Sequence, residues 1–213
     1  MYIVRRTLTF VQGFLTSYGP SSIKKKLWDR DFSSGKWDFI DNTAGDCVYP
    51  FLEKYANDGD ILDLGCGPGN TANELASDAY RSYTGVDISD AAVAKAVRRT
   101  KENGRAAKNK FVVSDFLGYA PTQDFDIILF RESLYHVPYG QVKPILAKYS
   151  QHLKKGGVFI VRLYAGDERP GVIKPRVIRK MDLIKNNFDM VEYRRFETPA
   201  LPTVLVFRPR GQS

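Results

Sequence analysis

Residues 61–69 read Ile-Leu-Asp-Leu-Gly-Cys-Gly-Pro-Gly, a spacing typical of a turn that binds a large ligand. The apolar run that glycines cut off predicts a buried strand entering a tight turn. A ligand can lie there against bare backbone, where amide N–H groups and the next helix N-terminus face it. Asn70 stands where a dinucleotide fingerprint has its third glycine, which argues against a nicotinamide or flavin site. No Gly-Lys-Ser/Thr follows, which excludes a Walker-type phosphate loop here.

Two acidic residues follow the glycine turn at positions that suit the parts of a nucleoside. Asp87 ends a second predicted strand, where its carboxylate can accept hydrogen bonds from two ribose hydroxyls. Asp115 ends a third predicted strand and can accept from the amine of a purine, with Ile88 or Phe116 flanking the ring. The alternative is that Asp87 caps the next helix and Asp115 belongs to a turn, although Ser89 also suits the cap.

Five short motifs follow one another between residues 59 and 163. They are Leu62-Asp63-Leu64-Gly65-Cys66-Gly67-Pro68-Gly69, Val86-Asp87-Ile88-Ser89, Ser114-Asp115-Phe116, Asp124-Phe125-Asp126-Ile127-Ile128-Leu129-Phe130 and Leu153-Lys154-Lys155-Gly156-Gly157-Val158-Phe159-Ile160. In this order and spacing they resemble the class I S-adenosylmethionine-dependent methyltransferases, which implies an enzyme that uses S-adenosyl-L-methionine as its cofactor. The cofactor-binding residues that the resemblance implies are Asp63, Gly65, Cys66, Gly67, Gly69, Asn70, Asp87, Ile88, Ser114, Asp115, Phe116 and Arg131.

The segment after the fourth predicted strand, residues 131–138, is where this family places substrate-facing residues. It lacks the Asn/Asp-Pro-Pro-Tyr tetrapeptide of amino-directed DNA and protein-glutamine methyltransferases, and it is similar to small-molecule members. By family analogy, Arg131 supplies a backbone contact near the cofactor sulfur. Glu132 and Tyr135 are expected to orient the substrate, and Trp37, in the N-terminal segment, to close over it.

His136 is the candidate catalytic residue, and it is one of two histidines in the chain. A hydroxyl acceptor must lose its proton during methyl transfer, so a general base is needed for that substrate. With an unperturbed pKa of about 6.5, the imidazole predicts a rate that falls at low pH. The alternative is a structural histidine. His152 falls late in a predicted helix, where a cation suits the helix dipole.

The charge distribution leaves the acceptor open. The net charge is +8, and residues 151–213 contain 13 Lys and Arg against 6 Asp and Glu. The basic stretch 174–180 indicates either a solvated helix face or attraction to an acidic substrate. We therefore expect O-methylation of a small, acidic or sugar-like molecule. A tRNA or rRNA methyltransferase is the alternative, although no appended RNA-binding module is evident. A non-catalytic cofactor-binding protein is a third hypothesis.

Length and composition bound the remaining expectations. A chain of 213 residues with 43% hydrophobic content can bury one sizeable α/β core. No apolar run approaches the length of a membrane span. Two cysteines make no disulfide framework, and no Cys/His spacing indicates a metal site. We therefore expect a cytoplasmic monomer or homodimer with a small-molecule partner and no metal.

Alternating apolar and helical patterns predict the fold. Strands are expected at 60–64, 82–87, 110–114, 125–130, 158–163, 190–196 and 203–207, and helices at 21–30, 44–57, 70–78, 91–101, 141–153 and 176–187. The last two strands are too close for a crossover helix and must be antiparallel. The prediction is one Rossmann-like domain over 58–213 with a seven-stranded, mostly parallel sheet and helices on both faces. Residues 1–57 form an aromatic-rich helical lid or substrate segment.

Overall fold

The computed structural model describes residues 11–38, 42–166, 174–198 and 200–211. Its strands are β1 (Gly59–Leu64), β2 (Tyr80–Asp87), β3 (Asn109–Val113), β4 (Phe125–Arg131), β5 (Leu153–Tyr164), β6 (Asp189–Arg195) and β7 (Pro202–Arg208). They form one sheet in the order β3-β2-β1-β4-β5-β7-β6. The strands β1 to β5 pair in parallel, whereas β7 lies antiparallel between β5 and β6. This confirms the predicted sheet with its antiparallel C-terminal hairpin.

Helices cover both faces of the sheet. They are α1 (residues 11–18), α2 (Ser21–Ser33), α3 (Tyr49–Ala56), α4 (Asn70–Glu74), α5 (Asp90–Glu102), α6 (Tyr139–Ser150) and α7 (Pro175–Asn187), with a 3₁₀ turn at Leu134–His136. In the described part of the chain, no helix is long and apolar enough to cross a membrane.

The core lies in two layers because successive side chains of a strand point to opposite faces. On one face, Leu62 and Leu64 of β1 pack with buried residues of α6 and α7. On the other face, Ile61 packs with buried residues of α3. The parallel strands are therefore buried on both sides, which explains their nearly continuous apolar runs.

Several helices are shorter than the sequence predicts. The helix expected at 44–57 begins at Tyr49, where Pro50 suits the first turn, and it is followed by Asn57 in the left-handed region. The helix expected at 70–78 ends at Glu74, after which the chain turns back to start β2. The helix expected at 141–153 ends at Ser150, because Leu153 already belongs to β5. The starts of β2 and β5 therefore limit the last two of these helices.

The segment before β1 lies at the carboxyl ends of the strands. The Ser89 hydroxyl donates a hydrogen bond to Asp29 of α2 (2.7 Å), and the Ala91 N–H donates to the same oxygen (3.3 Å). Lys25 of α2 pairs with Asp90 (2.5 Å). These bonds hold α2 against the N-terminus of α5. A domain boundary at 57/58 and movement of the segment as a lid stay predictions.

Candidate active site

A cavity of about 600 Å³ opens at the carboxyl ends of β1, β2 and β4. One side is formed by the glycine turn after β1, by Asp87 and Ile88 after β2, and by residues 115–117 after β3. The opposite side is formed by α2, by Trp37 and by the 3₁₀ turn after β4. Open parallel α/β sheets bind their ligands at this edge, so the cavity is the candidate active site.

The glycine turn is held by hydrogen bonds to β2. The Gly65 and Cys66 N–H groups donate to the Val86 carbonyl (2.8 and 3.1 Å), and the Gly67 N–H donates to Asp87 Oδ2 (2.8 Å). The expectation that these amides face a ligand is therefore wrong for all three. Gly67 nevertheless has a φ of +53°, and a Cβ there would meet only Phe32, at 3.8 Å, which leaves its cavity side open.

Two of the predicted cofactor residues do not line the cavity. Gly69 has a φ of +75°, and a Cβ at this position would lie 2.8 Å from the Ala96 Cβ. This glycine therefore allows α5 to approach the turn closely. The Ser114 N–H donates to the Asp87 carbonyl (2.8 Å), and the Ser114 hydroxyl donates to the Asp115 carbonyl (3.3 Å). Both residues support the wall from behind.

Asp87 combines a structural function with access to the cavity. Its Oδ2 accepts from Gly67, and its Oδ1 accepts from the Ser89 N–H (2.9 Å), while burial raises the pKa of its carboxyl. A carboxylate has about four lone-pair directions, so Asp87 can still accept a hydrogen bond from a ribose hydroxyl. The cap of α5 is provided by Ser89, whose Oγ accepts from the Ala92 N–H (3.2 Å).

The candidate nucleoside wall continues after β2 and β3. Ile88, Asp115 and Phe116 all line the cavity near the glycine turn. The Asp115 Oδ1 accepts from the Leu117 N–H (3.0 Å), and its Oδ2 accepts from the Ser21 hydroxyl of α2 (2.6 Å). The structure therefore brings these residues together with Asp87, although they lie far apart in sequence.

Asp63, Cys66 and Asn70 line the floor of the cavity. The Asp63 Oδ2 accepts from the Tyr83 hydroxyl (2.6 Å), whereas Oδ1 is buried without a partner in the described part of the chain. Burial raises the pKa of this carboxyl to about 6 although Tyr83 opposes the change. Burial also raises the pKa of the Cys66 thiol. The floor thus holds a polar oxygen that a ligand donor could satisfy.

A cluster of four charged residues lies at the ends of β4 and β5. Arg131 and Arg162 both contact Asp46 (2.6 and 3.1 Å), and Arg162 also contacts Glu132 (2.5 Å). Burial alone would raise the pKa of Asp46, but the two guanidinium groups outweigh it and the pKa is lowered. The side chain of Arg131 thus forms an ion pair with Asp46. The predicted cofactor contact of Arg131 involves its backbone and stays a prediction.

Sequence reasoning missed two members of this cluster, Asp46 and Arg162. Arg162 interrupts the apolar run of β5 and is 5% exposed, so a charged residue within a buried strand was the available signal. Asp46 lies in a turn and carried no such signal. Glu132 has a φ of +58°, a conformation that is uncommon for a residue with a side chain. This backbone turns its carboxylate back toward Arg162.

His136 lines the side of the cavity opposite the glycine turn, beside aromatic residues of the N-terminal segment. Its ring contacts Trp28 edge to face, with centroids 4.9 Å apart, and Trp28 in turn packs near Trp37 (5.9 Å). Burial, together with the positive charges of Lys180 and Lys24, lowers the pKa of His136 to about 4. Among the described residues, neither imidazole nitrogen has a hydrogen-bond partner.

The 3₁₀ turn that carries His136 is anchored from behind. The buried Lys180 ammonium donates to the carbonyls of Leu134, Tyr135 and Val137 (2.9, 2.9 and 2.6 Å). Tyr135 lines the cavity, and its hydroxyl is tied to the backbone of Tyr164 in β5 (3.0 Å to the carbonyl). One residue of the basic stretch is therefore a structural anchor, whereas Lys174 lines the cavity.

Comparison with known proteins gives a consistent result. Residues 61–157 match the family model described as a methyltransferase domain. A sterol 24-C-methyltransferase of Gibberella zeae is 31% identical over 100 residues, which are 46% of this chain and 26% of the relative. A 2-methyl-6-phytyl-1,4-hydroquinone methyltransferase of Synechocystis is 30% identical over 149 residues, which are 69% of this chain and 42% of the relative. The chain thus spans less than half the length of these relatives.

Solved structures share the fold. The N-methyltransferase NodS of Bradyrhizobium japonicum, determined with S-adenosyl-L-homocysteine, aligns with a TM-score of 0.68 at 18% identity, over 87% of this chain and 98% of that one. The sheet order, the glycine turn and the acids at the strand ends define a Rossmann-like α/β domain with a nucleoside-sized cavity. Residues 61–157 thus carry a methyltransferase domain, as the motifs in this stretch predicted, and the chain shares the fold of solved methyltransferases.

Proposed function

We propose that this protein transfers the methyl group of S-adenosylmethionine to a hydroxyl oxygen of a small aromatic molecule. The observation that carries the proposal is the division of one cavity into two halves. The glycine turn, Asp87 and Asp115 form one half, and His136 with an aromatic wall forms the other. A cavity of about 600 Å³ lies in the usual range for small-molecule sites, about 300–1,000 Å³.

The residues present suit the cofactor. The open side of Gly67 leaves room that a side chain would fill, and Asp63 has an oxygen without a partner. Asp87 would hold the ribose, and Ile88, Asp115 and Phe116 would hold the adenine. When bound, the cofactor supplies a sulfonium methyl group that a nucleophile can displace. Tyr135 and the backbone at Arg131 would position the reacting groups in line.

The acceptor half supports an aromatic hydroxyl compound. Trp28, Phe32 and Trp37 line it together with His136, and aromatic rings pack favourably edge to face against such a wall. The low pKa keeps the imidazole neutral at physiological pH, so a ring nitrogen can accept a proton. A weak base suffices because the hydroxyl becomes strongly acidic as the new O–C bond forms.

The test is methyl transfer from radiolabelled S-adenosylmethionine to a panel of phenols, sugar acids, small amines and bulk tRNA. We expect turnover with phenols, and we expect His136→Asn to lower kcat by about 10²-fold or more while S-adenosylhomocysteine binds normally. His152→Asn is the matched control, because it replaces the other histidine of the chain, which does not line the described cavity. Turnover with amines or tRNA but not with phenols would overturn the proposal. Absence of S-adenosylhomocysteine binding in calorimetry would overturn the cofactor assignment as well.

We also propose that the protein is located in the cytoplasm. Cys47 and Cys66 are both free thiols, which suits the reducing cytoplasm. A small-molecule acceptor needs no nucleic-acid surface. Several basic side chains of the C-terminal third instead lie over aromatic rings of their own chain, such as Lys185 over Tyr193 (3.8 Å).

A further inference from the structure

Lys24 of α2 is a buried cation without a partner. The residue is 8% exposed, and its side chain lines the candidate active site near His136. Among the described residues, no hydrogen-bond acceptor or carboxylate contacts its ammonium group. Lys180 is a residue of similar burial, but its ammonium bonds three backbone carbonyls.

A second cavity, of about 330 Å³, adjoins the first. Lys24 and Leu117 line both cavities and therefore stand between them. Lys148 of α6 lines the second cavity as well, and its ammonium donates to the Leu117 carbonyl (3.0 Å). These two lysines are the charged residues among the described lining of the second cavity. Its potential is therefore positive.

The Lys24 ammonium is not among the fully buried unpaired atoms of the described residues, so it faces cavity space, where a bound anion could pair with it. Such groups persist at sites where a ligand supplies the opposite charge. The remaining groups that face this region do not supply it, since His136 is neutral at physiological pH and Lys180 is cationic. Of the carboxylates that line the active site, Asp46 and Glu132 are paired with arginines, and Asp63 and Asp87 lie on the side of the glycine turn. The charge of Asp115 acts on Lys148, but the Asp115 oxygens already accept from the Leu117 N–H and the Ser21 hydroxyl.

We infer that the acceptor carries an anionic terminal group, a carboxylate or a phosphate, which binds between Lys24 and Lys148 in the second cavity. This inference rests on the proposed function and adds the charge of the substrate to it. The aromatic body of the acceptor then lies beside Trp28 and His136, with its hydroxyl in the first cavity. Lys24 is a specificity residue, because it selects anionic acceptors over neutral ones of the same shape.

The experiment compares three phenols of similar size: 3-(4-hydroxyphenyl)propanoate, its amide, and 2-(4-hydroxyphenyl)ethylphosphonate. Binding to the protein saturated with S-adenosylhomocysteine is followed by tryptophan fluorescence, since both tryptophans of the chain line the cavity. Methyl transfer to each probe is measured separately. The variants are Lys24→Met, which removes the charge, Lys24→Arg, which keeps it, and Lys26→Met, an exposed lysine on the same helix as control.

We expect the wild type to bind one or both anionic probes at least tenfold more tightly than the amide, as for a charged hydrogen bond. Lys24→Met should abolish this preference and leave the melting temperature equal or higher, whereas Lys24→Arg and Lys26→Met should keep the preference. A carboxylate preference and a phosphonate preference distinguish the two kinds of anion. Equal binding of all three probes by the wild type, or a preference that survives Lys24→Met, would overturn the inference.

The two proposals fail separately in this design. If the anionic probes bind preferentially through Lys24 but no phenol is methylated, the hydroxyl acceptor is wrong and the anion site stands. If the amide is methylated as efficiently as the anions, the proposed function stands and the anion site is wrong.

Discussion

The half-buried imidazole of His136 makes the stability of the protein depend on pH. Its pKa is about 4 in the folded protein and 6.5 in the unfolded chain, because burial and the charges of Lys180 and Lys24 disfavour the imidazolium. Between these values the unfolded chain binds a proton that the folded protein does not. Stability must therefore fall as the pH falls from 6.5 towards 4.

The size of the effect follows from the two pKa values. Between about pH 7 and about pH 5, His136 should lower the free energy of unfolding by about 2 kcal/mol. Asp63 acts in the opposite direction, because its pKa of about 6 lies above the unfolded value and its protonation stabilises the folded state by about 1 kcal/mol over the same range. The wild type alone would show the sum of these effects and of the other shifted carboxyls, such as Asp87 and Asp46, so it would not isolate His136.

The assay is therefore a comparison of urea unfolding at both pH values for the wild type and His136→Asn. The variant should gain about 2 kcal/mol relative to the wild type on going from pH 7 to pH 5, with an unchanged m-value. His152→Asn is the control, because it removes the other histidine of the chain, which does not line the described cavity. If His136→Asn lost as much stability as the wild type over this range, the imidazole would not be buried as described. A low-pH limb of kcat near 6.5, as the sequence predicts, would contradict the same conclusion.

Substitutions at Gly69, Gly67 and Asp87 give three further predictions. Gly69→Ala should cost about 2–4 kcal/mol of stability, because its φ is positive and α5 leaves no room, whereas Gly104→Ala, with a positive φ but open space, should cost about 1 kcal/mol in urea unfolding. Gly67→Val should weaken S-adenosylhomocysteine binding in calorimetry more than it lowers stability, since its side chain enters the cavity; normal affinity would show that the turn is only a connection. Asp87→Ala should weaken the same binding by about 2–3 kcal/mol and also lower the melting temperature, because it frees the Gly67 and Ser89 amides. Unchanged affinity would refute the ribose assignment.

The sequence by itself determined the sheet and the positions of the residues that form the candidate nucleoside side of the cavity. A glycine turn after a buried strand, and acids at the ends of the next two strands, are local patterns with a fixed geometry. Parallel pairing then brings Asp87 and Asp115 to the same edge whatever the rest of the chain does. The C-terminal hairpin was equally predictable, because too few residues separate its strands for a crossover helix.

Tertiary structure alone decided the charges of the site. Asp46, Glu132 and Arg162 meet only because a turn before α3 and the ends of β4 and β5 converge, and no sequence spacing records that. Gly69 looked like a cofactor residue by its place in the motif, but the approach of Ala96 gives it a packing function. Lys24 and His136 are ordinary polar residues in the sequence. Their burial and the charges around them depend on how α2 and α7 pack over the cavity, because desolvation and Coulomb energy depend on distances in space and not along the chain.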